Sequence, residues 1–463
     1  MTNKDSMDSP VNMHSLDAKS QQLREKILDY ARTRMSYDEV PLDAPATLEY
    51  LTANASGSVS ESGIGGDAAL SLFAEVLAPA CLSTDHPGYV SFIPTAPTQA
   101  ATAFDLVVSA SSIYGGSWME GAGAVFAENE VLSWLAHEVG LPASAGGVFV
   151  QGGTLGNLSA LVAARHTAIN NRAGLAKPDR WKFVCSEEAH SSLKSAAAVM
   201  DVDIVKAKVN EEGRLTGQAV ADAIASAGDG VFAVVATAGT TNFGIVDRLR
   251  EIGEVAKHAG LWFHVDGAYG LAGILASETK PLFDGSELAD SFIVDPHKWL
   301  FAPFDACALV YRNPELARAA HTQHGEYLDT LTDSGDWNPS DYAYNLTRRV
   351  RGLPLWFSLA THGIAAYRDA IASNIRVTQE IAEVIRKRPE LRLVREPELS
   401  VVVFEHVDWA LADYKAWSDK LIASGLGLVV PSSHKGRPNT RFAIINPKTT
   451  TALLTEILDS MEN

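Results

Sequence analysis

A lysine and an aspartate each stand at the end of an apolar run in this chain. Lys298 follows the run Ser291–Val294 and a turn containing Pro296, and Asp266 closes a second run. A lysine amine at the edge of a sheet can be desolvated, lose its proton and attack a carbonyl carbon. An exposed lysine after a turn is the alternative. The co-occurrence with Asp266 favours carbonyl chemistry.

A glycine-rich turn, Gln-Gly-Gly-Thr-Leu-Gly-Asn, occupies residues 151–157 between a strand-like run and a helical run. Small residues let the backbone approach an anion, and a helix N-terminus offers free N–H groups. The spacing of Gly152, Gly153 and Gly156 does not match the dinucleotide fingerprint, and the lysine of a P-loop is missing. Tight packing without a ligand is the alternative to a phosphate site.

Together these groups predict a site for pyridoxal phosphate (PLP). An aspartate keeps the pyridine nitrogen protonated, a lysine takes the aldehyde, and backbone amides take the phosphate. His190 could stack on the cofactor ring or merely cap the helix that begins at Ser191. Asp266 would be satisfied by the cationic ring nitrogen or by an arginine. The cluster Arg348-Arg349-Val350-Arg351 is either solvated or anchors a wall of the site through ion pairs.

Near-continuous apolar strands alternate with helices through the middle of the chain, which predicts a mostly parallel sheet covered on both faces. Ligands of such sheets bind beyond the carboxyl ends of the strands. Five candidate residues directly follow predicted strands: Gly153, His190, Thr240, Asp266 and Lys298. We therefore expect one site at this edge of the sheet.

The chain divides into three predicted parts. Residues 1–98 form an irregular helical segment that packs on a partner subunit, residues 99–361 form a large α/β domain, and residues 362–463 form a smaller α+β domain. In the first part, a helix is predicted over Leu16–Arg34, a loop over 53–66, and a second helix, capped by Asp67, to about Leu77.

Composition excludes several classes of protein. The chain has 463 residues, 46% of them hydrophobic, and a formal net charge of -18, which disfavours nucleic acid or an anionic membrane as a partner. Three widely spaced cysteines (Cys81, Cys185 and Cys307) fit a reducing compartment. No metal-ligand spacing, signal peptide or membrane span is recognisable, so we expect a cytoplasmic protein without a metal.

These residues, taken together, resemble the group II PLP-dependent decarboxylases of fold type I, which include aromatic L-amino-acid, tyrosine, histidine and glutamate decarboxylases. The resemblance runs from Pro41 to Thr450. It is carried by these segments: His86-Pro87 with Phe92-Ile93-Pro94, Gln151-Gly152-Gly153-Thr154, Ala189-His190-Ser191-Ser192, His264-Val265-Asp266-Gly267-Ala268-Tyr269 and Pro296-His297-Lys298-Trp299. It implies a seven-stranded, mostly parallel sheet, PLP as the cofactor, and a homodimer with active sites at the interface.

The resemblance also implies residue roles. Lys298 would bond to the cofactor aldehyde, Asp266 would pair with the ring nitrogen, and His190 would stack on the ring. Phosphate contacts would come from Gly153, Thr154 and His297. Two further cofactor contacts are Thr240, near the ring, and Asp295, where many aromatic-type members carry asparagine. Tyr327 would be the mobile-loop acid that protonates Cα, with Tyr342 or Tyr344 as alternative counterparts.

Decarboxylation of an L-amino acid to an amine and CO₂ is the implied reaction. Phe92, Thr95 and Trp118 would bind the substrate, and the apolar wall Phe92-Ile93-Pro94 together with Trp118 favours an aromatic side chain. Gly116, where aromatic-specific members carry a bulky residue, could widen the pocket or admit a polar group. An aromatic aldehyde synthase, a glutamate-type decarboxylase and an aminotransferase would use the same cofactor residues. A PLP-bound but inactive interaction protein is the non-enzyme alternative.

Overall fold

The computed structural model describes residue 14 and residues 17–172, 174–323 and 336–462. Its centre is a seven-stranded sheet with the order β1-β7-β6-β5-β4-β2-β3. The strands are β1 (Gly146–Val150), β2 (Lys182–Ser186), β3 (Asp203–Ala207), β4 (Val231–Thr237), β5 (Trp262–Asp266), β6 (Ser291–Val294) and β7 (Cys307–Tyr311). β7 is antiparallel to both of its neighbours, and the other pairs are parallel. The predicted mostly parallel sheet is therefore confirmed.

Apolar side chains leave both faces of this sheet. In β4, Val234 packs into one core and the next residue, Val235, into the other. Phe263 and Trp262 divide between the two cores in the same way in β5. Because side chains alternate along a strand, a strand buried on both faces is apolar throughout. The covering helices are α4 (Gln99–Ser111), α5 (Trp118–Val139), α6 (Gly153–Asn171), α7 (Ser191–Met200), α8 (Gly217–Ala227), α9 (Leu249–His258) and α10 (Pro314–His321).

The N-terminal segment contains three helices in which the structure records no buried residue: α1 (Ala18–Met35), α2 (Leu48–Ala55) and α3 (Gly66–Leu72), the last continued by a π-helical turn over Phe73–Leu77. The predicted loop is confirmed over residues 56–65, between α2 and α3, and the helix reaches Leu77 as predicted. The predicted cap is wrong, because Asp67 lies within α3 and pairs with Lys26 at 2.8 Å. Gly65, with φ of 86°, precedes α3 instead, because a glycine tolerates this backbone turn.

The C-terminal part holds a long helix, a small antiparallel sheet with the order β10-β11-β9-β8, and two shorter helices. Their bounds are α11 (Leu353–Arg386), β8 (Leu391–Leu393), β9 (Val401–His406), α12 (Leu411–Ser424), β10 (Ser432–His434), β11 (Arg437–Ala443) and α13 (Thr451–Asp459). The apolar run over residues 426–431 predicts a further strand, but it is not part of this sheet. Leu428 instead bridges Tyr89, so that run is paired with the N-terminal segment.

Among the helices that the structure describes, none combines the length and the apolar character needed to cross a membrane.

Candidate active site

The carboxyl ends of β2, β4, β5 and β6 surround a cavity of about 220 Å³. Parallel strands end at the same edge of a sheet, so residues far apart in sequence meet there. The structure brings eight of the predicted site residues to this cavity: Gly153, Thr154, His190, Thr240, Asp266, Asp295, His297 and Lys298.

Asp266, the last residue of β5, is 5% exposed. Its Oδ2 accepts a hydrogen bond from Asn157 Nδ2 at 2.8 Å, and its Oδ1 accepts one from the backbone N–H of Ala268 at 3.2 Å. No lysine or arginine of the described residues forms an ion pair with it, so the predicted arginine alternative does not hold. A buried carboxylate with neutral donors alone is well placed to take a cation from a ligand.

The polar partners of Asp266 were missed by the sequence analysis. Asn157, on the first turns of α6, is 1% exposed, and its Oδ1 contacts His264 Nε2 at 2.9 Å. His264 lies within β5 and is completely buried, and its Nδ1 contacts Ser291 Oγ at 2.8 Å. Burial lowers the pKa of His264 to about 4, despite the opposing effect of Asp266. This histidine is therefore neutral at ordinary pH.

Lys298 and Asp295 form an ion pair inside the cavity. Lys298 Nζ lies 2.9 Å from Asp295 Oδ2, and the side chains are 24% and 2% exposed. Burial acts to lower the pKa of Lys298, but the carboxylates of Asp295 and Asp266 outweigh burial and raise it. The prediction that desolvation alone would deprotonate this lysine is therefore wrong for the chain without a ligand.

Asp295 also touches the glycine-rich turn. Its Oδ2 accepts from the backbone N–H of Gly153 at 3.3 Å and lies 3.9 Å from His297 Nε2. Asp295 Oδ1 is buried and has no hydrogen-bond partner among the described residues. Cys307 lies beside this carboxylate, and burial followed by the charge of Asp295 raises the thiol pKa. An orphaned buried carboxylate oxygen indicates that the cavity expects a further donor.

The glycine-rich turn has the geometry of an anion site. Gly152 has φ of 80°, which favours glycine, and Gly153 begins α6. A Cβ on Gly153 would lie 3.2 Å from both Ala268 Cβ and Asp295 Oδ2, so the backbone approaches the cavity floor closely. Thr154 lines the same cavity. The N-terminus of a 19-residue helix therefore opens onto the ligand space.

His190 caps α7, which confirms one of its two predicted alternatives. It is the N-cap of α7, where its Nδ1 accepts from the backbone N–H of Ser192 at 3.2 Å, and it also lines the cavity. Thr240 is buried in the turn after β4, where its Oγ1 accepts from the N–H of Ile245 at 3.1 Å. The capping role fixes the imidazole ring at the cavity without excluding a contact with a ligand.

The arginine cluster anchors neighbouring structure through ion pairs rather than standing in solvent. Arg348 Nη2 lies 2.8 Å from Glu128 Oε2, and both side chains are almost fully buried. Arg349 pairs with Asp105, and Arg351 pairs with Asp305. Arg348 also donates to the backbone oxygens of residues 115 and 149, which ties the start of α11 to β1.

The predicted substrate residues lie outside this cavity in the single chain. Phe92 is 57% exposed with φ of 54°, and Thr95 is buried with its Oγ1 donating to the Ala302 carbonyl at 2.9 Å. The backbone N–H of Trp118 donates to Asn338 Oδ1 at 3.0 Å. Tyr327 lies outside the residues that the structure describes.

Neither alternative tyrosine lines the cavity. Tyr342 is 2% exposed and its ring stacks on Trp337, with the centroids 4.1 Å apart. Tyr344 is 70% exposed.

The space beside Gly116 is filled in the single chain. A Cβ on this residue would lie 2.3 Å from the hydroxyl oxygen of Tyr114, so the tyrosine ring fills the space beside the glycine. The Tyr114 hydroxyl donates to the Leu346 carbonyl at 3.0 Å, which holds the ring there. The bulk that is missing at position 116 is therefore supplied from position 114.

Comparison with known proteins shows which family the chain belongs to. The model of the pyridoxal-dependent decarboxylase conserved domain matches residues 59–407. The chain belongs to this family. It is a PLP-dependent amino-acid decarboxylase, and the cavity residues fit the cofactor: a buried carboxylate without a cation, a lysine, and a helix N-terminus at a close-packed glycine.

The relatives of this decarboxylase differ in substrate. The chain is 30% identical to the aromatic-L-amino-acid decarboxylase of Bacillus atrophaeus, over 81% of this chain and 80% of that protein. It is equally 30% identical to the L-2,4-diaminobutyrate decarboxylase of Rhizobium meliloti (strain 1021), over 87% and 82%. The crystal structure of Oryza sativa TDC with PLP and tryptamine superposes with a TM-score of 0.87 at 24% identity, covering 98% of this chain and 99% of that one.

Proposed function

We propose that this decarboxylase converts an aromatic L-amino acid to the corresponding amine and CO₂. The observation that carries the proposal is that Asp266 and Lys298 line one cavity. Asp266 is a carboxylate that lacks a cation, and Lys298 supplies the amine that would attack an aldehyde there. Support for an aromatic side chain comes from the Bacillus atrophaeus relative and from the apolar character of Phe92 and Trp118.

Each residue of the cavity would have its own role in the reaction. When bound, PLP supplies the electron sink that accepts the electrons left on Cα as CO₂ departs. Asp266 would hold the ring nitrogen in its cationic form, since a neighbouring carboxylate favours a protonated nitrogen. His190 would pack against the ring, with Thr240 at its edge. Gly153, Thr154 and His297 would hold the phosphate at the α6 N-terminus.

Lys298 would alternate between two partners. It would bond covalently to the cofactor in the resting enzyme, and the substrate amine would displace it. The released amine can take a proton and return to Asp295, whose Oδ2 lies 2.9 Å from Nζ in the structure. Asp295 would thus hold the lysine close to the reacting atoms during turnover.

Protonation of Cα would fall to Tyr327, a general acid supplied by the segment between α10 and α11. The Tyr327→Phe variant should shift the products from the amine and CO₂ towards the aldehyde, CO₂ and ammonia, an oxidation that consumes dissolved O₂ and releases H₂O₂. Unchanged amine formation by this variant would remove Tyr327 from the mechanism.

A homodimer would complete the site. Large exposed apolar side chains are concentrated in the first 130 residues, and they include Leu48, Val59, Phe92, Met119 and Phe126. A monomer rarely exposes such a surface without a partner for it. In this arrangement the N-terminal helices would pack on the partner, and Phe92, Thr95 and Trp118 would face substrate at the interface. Light scattering should give twice the chain mass of 49.6 kDa.

A reducing compartment such as the cytoplasm suits the cysteines. Cys185 and Cys307 are buried, Cys81 is exposed, and all three are free thiols.

The deciding experiment mixes purified protein and PLP with single L-amino acids and identifies the products by mass. Tyrosine, tryptophan or phenylalanine should give an amine and CO₂. The Lys298→Ala variant should lose both the visible absorbance of the attached cofactor and the amine product. Turnover of 2,4-diaminobutyrate or glutamate instead would overturn the aromatic assignment. Aldehyde with ammonia would indicate an aldehyde synthase, and a keto acid would indicate an aminotransferase.

A further inference from the structure

A chain of short hydrogen bonds connects the two residues that would contact the cofactor ring. Asn157 Nδ2 lies 2.8 Å from Asp266 Oδ2 and 3.0 Å from Ser192 Oγ. Ser192 Oγ lies 2.9 Å from His190 Nδ1. Asn157 and Ser192 are 1% and 4% exposed, so water does not compete for the bonds among Asn157, Asp266 and Ser192, whereas His190 is exposed. One buried amide therefore lies between the carboxylate and the imidazole.

The chemistry of the neighbours fixes the orientation of the Asn157 amide. Turning the amide over would place its oxygen 2.8 Å from the Asp266 carboxylate, where two acceptors would repel each other. The amide nitrogen must therefore donate to Asp266 and Ser192, and Asn157 Oδ1 must accept a hydrogen bond from His264 Nε2. His264 Nδ1 is then left to accept from Ser291, whose oxygen in turn accepts from Trp262 Nε1–H at 2.8 Å.

The donors around His190 fix which of its ring nitrogens carries the proton. Because Ser192 Oγ accepts from Asn157, its own proton is free to be donated to His190 Nδ1. The backbone N–H of Ser192 also donates to this nitrogen, at 3.2 Å. Two donors on Nδ1 require a lone pair there, which puts the ring proton on Nε2.

We infer that Asn157 is a positioning residue that orients Asp266 and, through Ser192, holds His190 as the tautomer with its proton on Nε2. His190 then offers Nε2–H as a hydrogen-bond donor in the cavity. The inference rests on the proposed function only for the roles of Asp266 and His190 towards PLP. The network itself belongs to the protein without the cofactor.

Nitrogen-15 NMR of histidine-labelled protein without PLP tests the tautomer directly. The chain has 13 histidines, so a His190→Gln variant identifies the signals of residue 190. We expect a protonated Nε2 and an unprotonated Nδ1 at neutral pH in the wild type. The Asn157→Leu variant removes the amide at similar size and should give a mixture of tautomers at His190. A wild-type His190 that carries its proton on Nδ1, or a tautomer that Asn157→Leu leaves unchanged, would overturn the inference.

Two further variants separate the halves of the network. Ser192→Ala removes one of the two donors to His190 Nδ1 and keeps the backbone N–H, so it should raise the share of the Nδ1-protonated tautomer but leave the affinity for PLP within about twofold. Asn157→Leu should also weaken PLP binding roughly tenfold or more, because a buried carboxylate loses a donor. Asn446→Leu is the matched control, since this buried amide bonds to the Asp85 carbonyl far from the cavity. If Asn157→Leu does not fold, Ser192→Ala alone decides the tautomer. A protein that makes no amine would refute the proposed function and leave this result standing.

Discussion

Two carboxylates face the same cavity, and they are held in opposite ways. Asp266 receives hydrogen bonds from neutral donors alone, through Asn157 and the backbone of Ala268. Asp295 already has a cation, since Lys298 Nζ lies 2.9 Å from its Oδ2. A buried carboxylate without a cation is costly, so it is best suited to a ligand that brings one. The carboxylate of Asp266 therefore fits a cationic ring, and that of Asp295 holds the amine that reacts.

The difference extends to the residues behind each carboxylate. Behind Asp266, the hydrogen bonds run through Asn157 to His264, which burial keeps neutral. Beside Asp295, one oxygen has no hydrogen-bond partner among the described residues. Asp266 is thus preorganised by neutral donors of the chain itself, while Asp295 accepts from Gly153 and Lys298 through Oδ2 alone. Preorganised groups cost little reorganisation during a reaction, which suits the end that stabilises charge on the ring.

The largest expected effect comes from removing the charge of Asp266. The Asp266→Asn variant keeps the shape and can still accept from Asn157, but it cannot hold a protonated ring nitrogen. We expect kcat to fall on the order of 10²–10³-fold, the usual cost of losing one preorganised electrostatic contact. Steady-state kinetics of amine formation measures it.

Asp305→Asn provides the control for that experiment. It makes the same charge change at a partly exposed carboxylate that pairs with Arg351, outside the cavity. A kcat for Asp266→Asn within about threefold of the control would mean that the unpaired carboxylate is not the functional one.

A second prediction concerns the neutral partners of Asp266. Burial lowers the pKa of His264 to about 4, whereas an unfolded histidine titrates near 6.5. Between these values the unfolded chain binds more protons, so stability is complete above pH 6.5 and falls as the pH drops towards 4. Relative to a His264→Gln variant, which does not titrate, the wild type should lose about 2 kcal/mol between pH 6.5 and 4.5.

Urea unfolding at several pH values measures that difference. Asp247, whose pKa burial raises to about 7, has the opposite effect: its contribution to stability is present at low pH and is lost as the pH rises towards 7. It titrates in both proteins, so its effect cancels in the comparison. Parallel pH profiles for the wild type and His264→Gln would show that His264 is not held neutral.

The position of the site was predictable because it depends on where strands end. Gly153, His190 and Lys298 each follow an apolar run closely, and the ends of parallel strands converge at one edge. Asn157 was not predictable in this way. It lies in α6, 109 positions before Asp266, and its contact depends on how that helix packs across the sheet. The available signal was a polar side chain within a buried face that includes Ser159 and Ala160.

Other differences between prediction and structure have local causes. The run Leu426–Pro431 has the apolar character of a strand, but its pairing partner is Tyr89, which lies far away in sequence. Gly116 suggested an open pocket, but the Tyr114 ring fills the space beside it. The sequence does not reveal this, because the ring is held there by a hydrogen bond to the distant Leu346 carbonyl. Composition reveals neither kind of contact, since both depend on tertiary packing.

The smallest expected effect, and the sharpest test of the comparison, is a shift in the pH dependence with which PLP attaches to Lys298, beside Asp295. The carboxylates of Asp295 and Asp266 raise the pKa of Lys298 against the effect of burial. Cys307 and His297 are the other titratable groups near this pair. Attack on an aldehyde requires the neutral amine, so attachment of PLP should be slow at neutral pH and accelerate as the pH rises. In Asp295→Asn, burial is opposed by one carboxylate fewer, and the midpoint of attachment should move down by at least about one pH unit.

Borohydride trapping at each pH, followed by protein mass, counts the attached cofactor without requiring turnover. Asp305→Asn again provides the matched control, and its midpoint should stay at the wild-type value. If Asp295→Asn also leaves the midpoint in place, Asp295 does not hold the proton on Lys298. The ion pair of Asp295 would then not distinguish it in function from Asp266, which has neutral donors alone. If the midpoint moves down while Asp266→Asn lowers kcat and leaves attachment intact, then one carboxylate governs the amine and the other governs the ring. That separation follows from the structure, because Asp295 lies three residues from Lys298 and Asp266 closes a different strand.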